Sequence, residues 1–184
     1  MNKIRPEARA AIIEAAFAVY AERPTASLAD VAARAGVGRA TLHRHFPGRA
    51  DLMRELAGVA MQELDRAVEA ATADAKTAGD VLRLALHAIV PLANRQWFLA
   101  HEDVDADPVV ADAYNASREE LKAWVEAAKN EGLFAPDVPS EWIVEAYEQL
   151  TYAAWSQLRS GEATSKQAAE IAWRTLTRGL KGDM

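Results

Sequence analysis

The chain has no cysteine, which excludes disulfides, thiolate metal sites and redox sensing by a thiol. It also lacks a long apolar run: no stretch approaches the roughly 18 apolar residues needed to span a bilayer. The opening MNKIRPEARA has no apolar signal core, so a soluble protein with a cytoplasmic home is expected. No internal repeat or low-complexity tail is present. β-branched runs are few, and the breaks fall where Gly, Pro or Asp cluster, so the chain reads as helix nearly throughout. An enzyme would need a nucleophile with its base, paired carboxylates, a phosphate loop or a metal site, and none stands at a recognisable spacing. His101-Glu102 has no second histidine at helical spacing, so the metalloprotease pattern is absent. Neither enzymatic activity nor a cofactor nor a metal is expected.

At 184 residues the chain is long enough for one good core, or for a small head fused to a larger body. Charge favours the second arrangement. Residues 1–50 hold eight basic against four acidic side chains, a net of +4, while the remainder carries −10 of the overall −6. An acidic protein with a basic N-terminal head presents only that head to nucleic acid.

Within the head, SLADVAARAGVGRATLHRHFPGRADL contains two short helical patterns joined by Gly36-Val37-Gly38. Leu28, Val31, Ala32 and Ala35 form one apolar face, and Ser27 with Asp30 makes a capping box, so this helix should start at about Leu28. Gly36 stands where the chain leaves one helix and turns into the next, a position that often needs positive φ. Val37 should plug the angle between them. The second pattern buries Leu42 and Phe46 and turns Arg39, Thr41, His43, Arg44 and His45 largely outward. This is the layout of a helix-turn-helix whose second helix suits the major groove. Arg39 and Ala40 lie in its first turn: an arginine can bond guanine O6 and N7 bidentately, and an alanine can touch a thymine methyl. Thr41, His43 and His45 are shorter donors suited to phosphate oxygens, and Arg49 precedes a new helix whose amides also favour phosphate. Arg44 suits either purpose.

AGVGRATLHRHFPGRADL resembles the DNA-binding signature of the TetR family of transcriptional regulators, Ala-Gly-Val-Ser-x-x-Thr-Leu-Tyr-x-His-Phe-x-x-Lys-x-x-Leu. Carried across by position, the resemblance implies DNA contacts at Arg39, Ala40, Thr41, His43, Arg44, His45 and Arg49, with Gly36, Val37, Leu42, Phe46 and Leu52 as scaffold. Ser27 and Gly38, which open the two helices, complete the candidate set. Three positions depart from the commonest pattern: Gly38 replaces Ser, His43 replaces Tyr and Arg49 replaces Lys. Gly38 gives up a hydroxyl cap on the recognition helix.

The expected fold is all-α, with about nine helices: a three-helix head over residues 1–48 and a helical ligand-binding and dimerisation body over residues 49–184. The head opens with a helix from about Pro6 to Pro24 that carries Ile12, Ile13, Ala16, Phe17 and Tyr20. A long helix from about Arg49 to Ala75 connects head to body. Later helices are expected over Gly79–Ala100, kinked at Pro91, and over Pro108–Glu131, Ser140–Ser160 and Thr164–Leu180. The last two are apolar on more than one side (Trp142, Ile143, Ala146, Tyr147, Leu150, Ala153, Ala154, Trp155 and Leu158, then Ile171, Trp173, Leu176 and Leu180). A second apolar face in a protein this size is either core within the chain or a surface covered by another subunit, and the resemblance implies a homodimer through a four-helix bundle. Such a dimer binds a pseudo-palindromic double-stranded operator.

Between head and dimer helices the chain gathers His87, Trp97, Phe98, His101 and Tyr114, with Trp124 and Tyr147 nearby. Each aromatic is core on the plain reading. Together, with a few polar groups, they are also how a small-molecule pocket is lined, and the resemblance implies an effector cavity. The run Glu102, Asp103, Asp105, Asp107 is a solvated loop capping the helix at Pro108, or alternatively a metal or cationic-ligand site. The function implied is a ligand-responsive transcriptional regulator, a repressor released from its operator by a small-molecule effector. The alternative is a regulator-like ligand- or partner-binding module without specific DNA binding, against which the intact set of basic, hydroxyl and imidazole donors counts.

Overall fold

The computed structural model describes residues 4–93, 95 and 108–180. Among them are eight α-helices, one 3-10 turn and no strand: α1 (Ile4–Glu22), α2 (Leu28–Arg34), α3 (Arg39–His45), α4 (Arg49–Thr72), α5 (Ala78–Ile89), the 3-10 turn Val90–Leu92, α6 (Pro108–Asn130), α7 (Ser140–Ser160) and α8 (Ser165–Gly179). The all-α class matches the helical periodicity. Two compact units result, one reaching residue 62 and including Arg95 and Val110, the other holding 63–93 and the chain from 111 onward.

In the first unit the apolar stripes converge as their spacing dictates. Ile12, Ala16, Phe17 and Tyr20 of α1, Val31 and Ala32 of α2, Leu42 of α3, Phe46, and Leu52, Leu56 and Ala60 of α4 form its core. Val37 packs partly buried against it. Gly36 has φ +68°, the left-handed turn that only glycine enters without steric cost. Helix α4 serves both units along one stripe: Leu52, Leu56 and Ala60 lie in the first core, and Leu64 and Val68, one and two turns on, pack against the second.

The second core is built from Leu82, Leu86, Val90, Val125, Ala128, Phe134, Ile143, Val144, Ala169, Ala172 and Leu176. Helix α5 is capped at its start by Thr77, whose hydroxyl accepts from Asp80 N–H at 3.0 Å. Glu131, just beyond α6, also accepts there from Ala78 N–H at 2.8 Å and Gly79 N–H at 3.2 Å. The end of α5 differs from the expected single kinked helix. The α-helix stops at Ile89, and Pro91 sits in the 3-10 turn, because proline has no N–H to continue the ladder and its ring collides with the carbonyl four residues back. Ala93 N–H then reaches back three residues to Val90 O instead of four to Ile89 O, as a 3-10 turn requires. The buried indole of Trp155 donates to Ile89 O at 3.1 Å. The rest of the expected Gly79–Ala100 helix lies outside the described residues, apart from Arg95.

Much of the apolar surface of the last two helices is consumed within the chain: Ile143, Tyr147, Ala154, Trp155, Ala172 and Leu176 are buried. Trp142 and Ile171 remain outside, 64% and 50% exposed. Among the described residues no helix is long and apolar enough to cross a membrane.

Candidate nucleic-acid interface

The interface is assembled on two capped helices. Ser27 closes α2 with the capping box its sequence announces: its hydroxyl accepts from Asp30 N–H at 3.2 Å and donates to Asp30 Oδ2 at 2.6 Å, and Ser27 N–H donates to the same oxygen at 2.8 Å. The Ser27 hydroxyl and backbone N–H, with a smaller contribution from Arg23, hold the Asp30 carboxyl below its ordinary value. A depressed native value has a definite sign. The box stabilises α2 above the ordinary aspartate range and ceases to do so as pH falls through the lowered native value. Thermal unfolding of the wild type and of Asp30→Ala, followed against pH, should therefore show a gap at neutral pH that closes in acid.

Helix α3 starts differently. Its N-cap, Gly38, has φ −72° and ψ 152° and makes no side-chain cap bond. A Cβ at Gly38 would meet nothing within 4 Å, and its φ is one any residue adopts. Gly38→Ser should accordingly stabilise the head by about 1 kcal/mol, through reduced unfolded-state freedom and a new cap. A higher urea midpoint at unchanged m is the readout.

Leu42 and Phe46 are buried at 1% and 3% exposure, and they turn the opposite face of α3 outward. Gly38, Arg39, Ala40, His43 and Arg44 are exposed and Thr41 is half-buried. Neither Arg39 nor Arg44 has a hydrogen bond or ion pair among the described residues, so both guanidinium groups are open to an outside partner. The His43 Nδ1 lies 3.3 Å from Pro47 O; since a carbonyl only accepts, that nitrogen carries the proton, which leaves Nε2 for another contact.

Two members of the expected set are placed differently. His45 is half-buried, its ring centroid 6.4 Å from that of Phe46, and its Nε2 is shielded from solvent with no partner among the described residues. The spacing explains this: 42, 45 and 46 are i, i+3 and i+4, so His45 flanks the buried edge and does not share the outward face. Arg49 turns its guanidinium back onto the head, donating to Pro24 O at 2.7 Å and Ala26 O at 2.9 Å while lying 4.4 Å over the Tyr20 ring. The Asp51 carboxylate, three residues into α4, accepts from Gly48 N–H at 3.0 Å, occupying an amide that sequence had offered to phosphate. Sequence had not singled out Arg9, which lies 5.7 Å over the Phe46 ring and pairs with Glu55 at 2.6 Å.

The second unit holds four of the candidate ligand residues; Trp97, Phe98, His101 and the acidic run 102–107 lie outside the described residues. Tyr147 is core: buried at 5% exposure, it donates its hydroxyl to Leu82 O at 3.0 Å, and burial pushes the pKa of that hydroxyl up. Trp124 is half-buried against the same core. His87 lies half-buried with Nε2 3.7 Å from Glu170 Oε2. Tyr114, 40% exposed, donates to Glu148 Oε1 at 3.2 Å, and burial, then the Glu148 charge, push its hydroxyl up to about 12. No hydrogen bond or ring contact joins these four to one another among the described residues. Beside Tyr114 lies a cluster that sequence reasoning missed. Glu141, Glu145 and Glu148 stand one and two turns apart on α7 and face Arg118 of α6, which binds Glu141 at 2.7 Å and also pairs with Glu148. Partial burial nevertheless raises the Glu148 carboxyl above its ordinary value. The missed signal was the i, i+4, i+7 acidic spacing opposite one arginine. No group of three or more such side chains among the described residues is placed to hold a metal ion.

Residues 12–56 match the family described as bacterial regulatory proteins, tetR family. Over 177 residues the chain is 31% identical to the HTH-type transcriptional repressor LfrR of Mycolicibacterium smegmatis, covering 96% of this chain and 92% of that one. A crystal structure of LfrR from Mycobacterium smegmatis in complex with proflavine superposes with a TM-score of 0.80 at 28% identity, over 98% of this chain and 99% of the other. A tetR-family regulatory protein from Rhodococcus RHA1 shares the fold at a TM-score of 0.81 and 17% identity, over 96% of this chain and 98% of that one.

Proposed function

Since the chain belongs to the TetR family of bacterial transcriptional regulators, we propose that it is a ligand-responsive repressor, a homodimer that leaves a pseudo-palindromic operator when a small molecule binds. The observation that carries the reading is the outward face of α3, where Arg39, Ala40, His43 and Arg44 are exposed and both arginines have no partner among the described residues. Arg39 reads a base edge and the shorter donors hold phosphates. On this reading residues 1–48 hold DNA and residues 49–184 sense and dimerise. That division falls at the start of α4, short of the compact boundary at residue 62. The role is non-enzymatic and cytoplasmic. Trp142 and Ile171 are the large apolar side chains that α7 and α8 offer to a second subunit, and pairing there sets recognition helices about 34–36 Å apart.

Release is a population shift: the effector binds best to a state whose two heads are wrongly spaced, and a coupling of about 1–3 kcal/mol changes operator affinity about 5- to 150-fold. Proflavine, the ligand in the LfrR complex, is the first effector to try. The reading is tested by selecting bound duplexes from a random pool with the purified protein. An enriched inverted repeat is expected; a pool that stays random while the protein is folded and dimeric would sink it.

A further inference from the structure

The geometry around Arg49 points to a positioning role in DNA recognition: we infer that this residue holds the helix-turn-helix on the start of α4 and makes no phosphate contact itself. The inference rests on the DNA-binding reading and assigns to Arg49 a role different from the one its motif position suggests.

Three contacts converge on one guanidinium. Two of its nitrogens donate to Pro24 O at 2.7 Å and Ala26 O at 2.9 Å, both in the short connection between α1 and α2, and its Cζ lies 4.4 Å from the centroid of the Tyr20 ring near the end of α1. Tyr20 is only 1% exposed, so the platform under the guanidinium is fixed by the core. The two carbonyls flank Thr25 immediately before the Ser27 cap of α2. The first residue of α4 therefore grips the chain where α2 begins, and α2 carries α3 through the tight turn at Gly36. A lysine could not do this. Its ammonium is a point charge on a flexible stem, whereas the guanidinium offers separate donors to two acceptors while its charge lies over an aromatic ring. The Asp51 carboxylate beside it, accepting from Gly48 N–H, further lowers the attraction of this helix end for a phosphate.

Position and charge make opposite predictions for Arg49→Lys. A phosphate contact tolerates lysine, which keeps the charge. A positioning clamp does not, because only charge is kept while the paired carbonyl bonds and the guanidinium contact with the ring disappear. The experiment compares wild type, Arg49→Lys and Arg49→Gln, each binding the enriched duplex and a scrambled duplex across a salt series, with folding checked by circular dichroism. Loss of two hydrogen bonds corresponds to roughly tenfold, so both variants should bind the enriched duplex about tenfold more weakly. Their affinity for scrambled duplex and the slope of log affinity against log salt should stay as in the wild type. Arg49→Lys matching the wild type, or Arg49→Gln flattening the salt slope by about 0.9 per phosphate no longer neutralised, would overturn the inference in favour of phosphate contact. Equal losses on both duplexes would overturn it in favour of general destabilisation. A wild type without preference for any duplex would instead defeat the DNA-binding reading, before any variant is compared.

Discussion

Arg39→Ala is expected to lower operator affinity by about 1–3 kcal/mol for each half-site, and to relax the preference at one base pair in each. Arg39 is the first residue of α3, in the turn that meets base edges when a recognition helix enters the major groove. It is exposed and has no intramolecular partner among the described residues, so removing it breaks nothing inside the head. The weaker binding would therefore come from the missing DNA contact alone. Selection from a random pool with the variant should return the same inverted repeat with one position per half-site degenerate. Recovery of the repeat unchanged would mean that Arg39 touches only phosphate, and Arg44, five residues on at the other edge of the exposed face, would become the candidate reader.

The second large effect belongs to the other unit. Phe134→Ala should destabilise the protein by about 3–5 kcal/mol, the usual cost of deleting a buried aromatic ring and leaving a cavity. Phe134 is 2% exposed although it lies in the connection between α6 and α7. Its neighbour Ala135 donates from its N–H to Leu180 O at 3.0 Å, so the loop is tied to the end of α8 as well as plugged into the core. Urea unfolding followed by tryptophan fluorescence would measure the destabilisation. A cost below about 1 kcal/mol would show that the surrounding side chains close over the gap.

These two residues also mark what sequence makes visible. The exposed placement of Arg39 at the start of α3 was legible because a helix-turn-helix is local: the Ser27 cap, the turn at Gly36 and the burial of Leu42 and Phe46 all follow from spacing within a few turns. Phe134 was not, because a lone aromatic in a connection has no periodicity to assign it to a core. The same limit explains Arg49, whose charge was read from its place in the motif while its partners lie 23 and 25 residues back. His45 failed for a different reason, since its spacing to Leu42 and Phe46 was available and the outward set was drawn too wide. In the ligand candidates, Tyr147 proves to be core, and the acidic spacing that includes Glu148 did not name its partner, because the pairing with Arg118 joins two helices 30 residues apart.

The tertiary cap that Glu131 places on α5 has a bearing on the order in which the newborn chain becomes structured. That cap spans 53 residues, and the Tyr147 and Trp155 bonds to the carbonyls of Leu82 and Ile89 in α5 span 65 and 66. During synthesis α5 would leave the ribosome long before any of the groups that complete it. The head waits for far less: the Arg9, Arg49 and Asp51 contacts all close by residue 55, while among the described residues Arg95, with its grip on Glu14 and its place over the Phe17 ring, arrives late. A translating ribosome would thus carry a nearly finished first unit while the second was still waiting for its last helices.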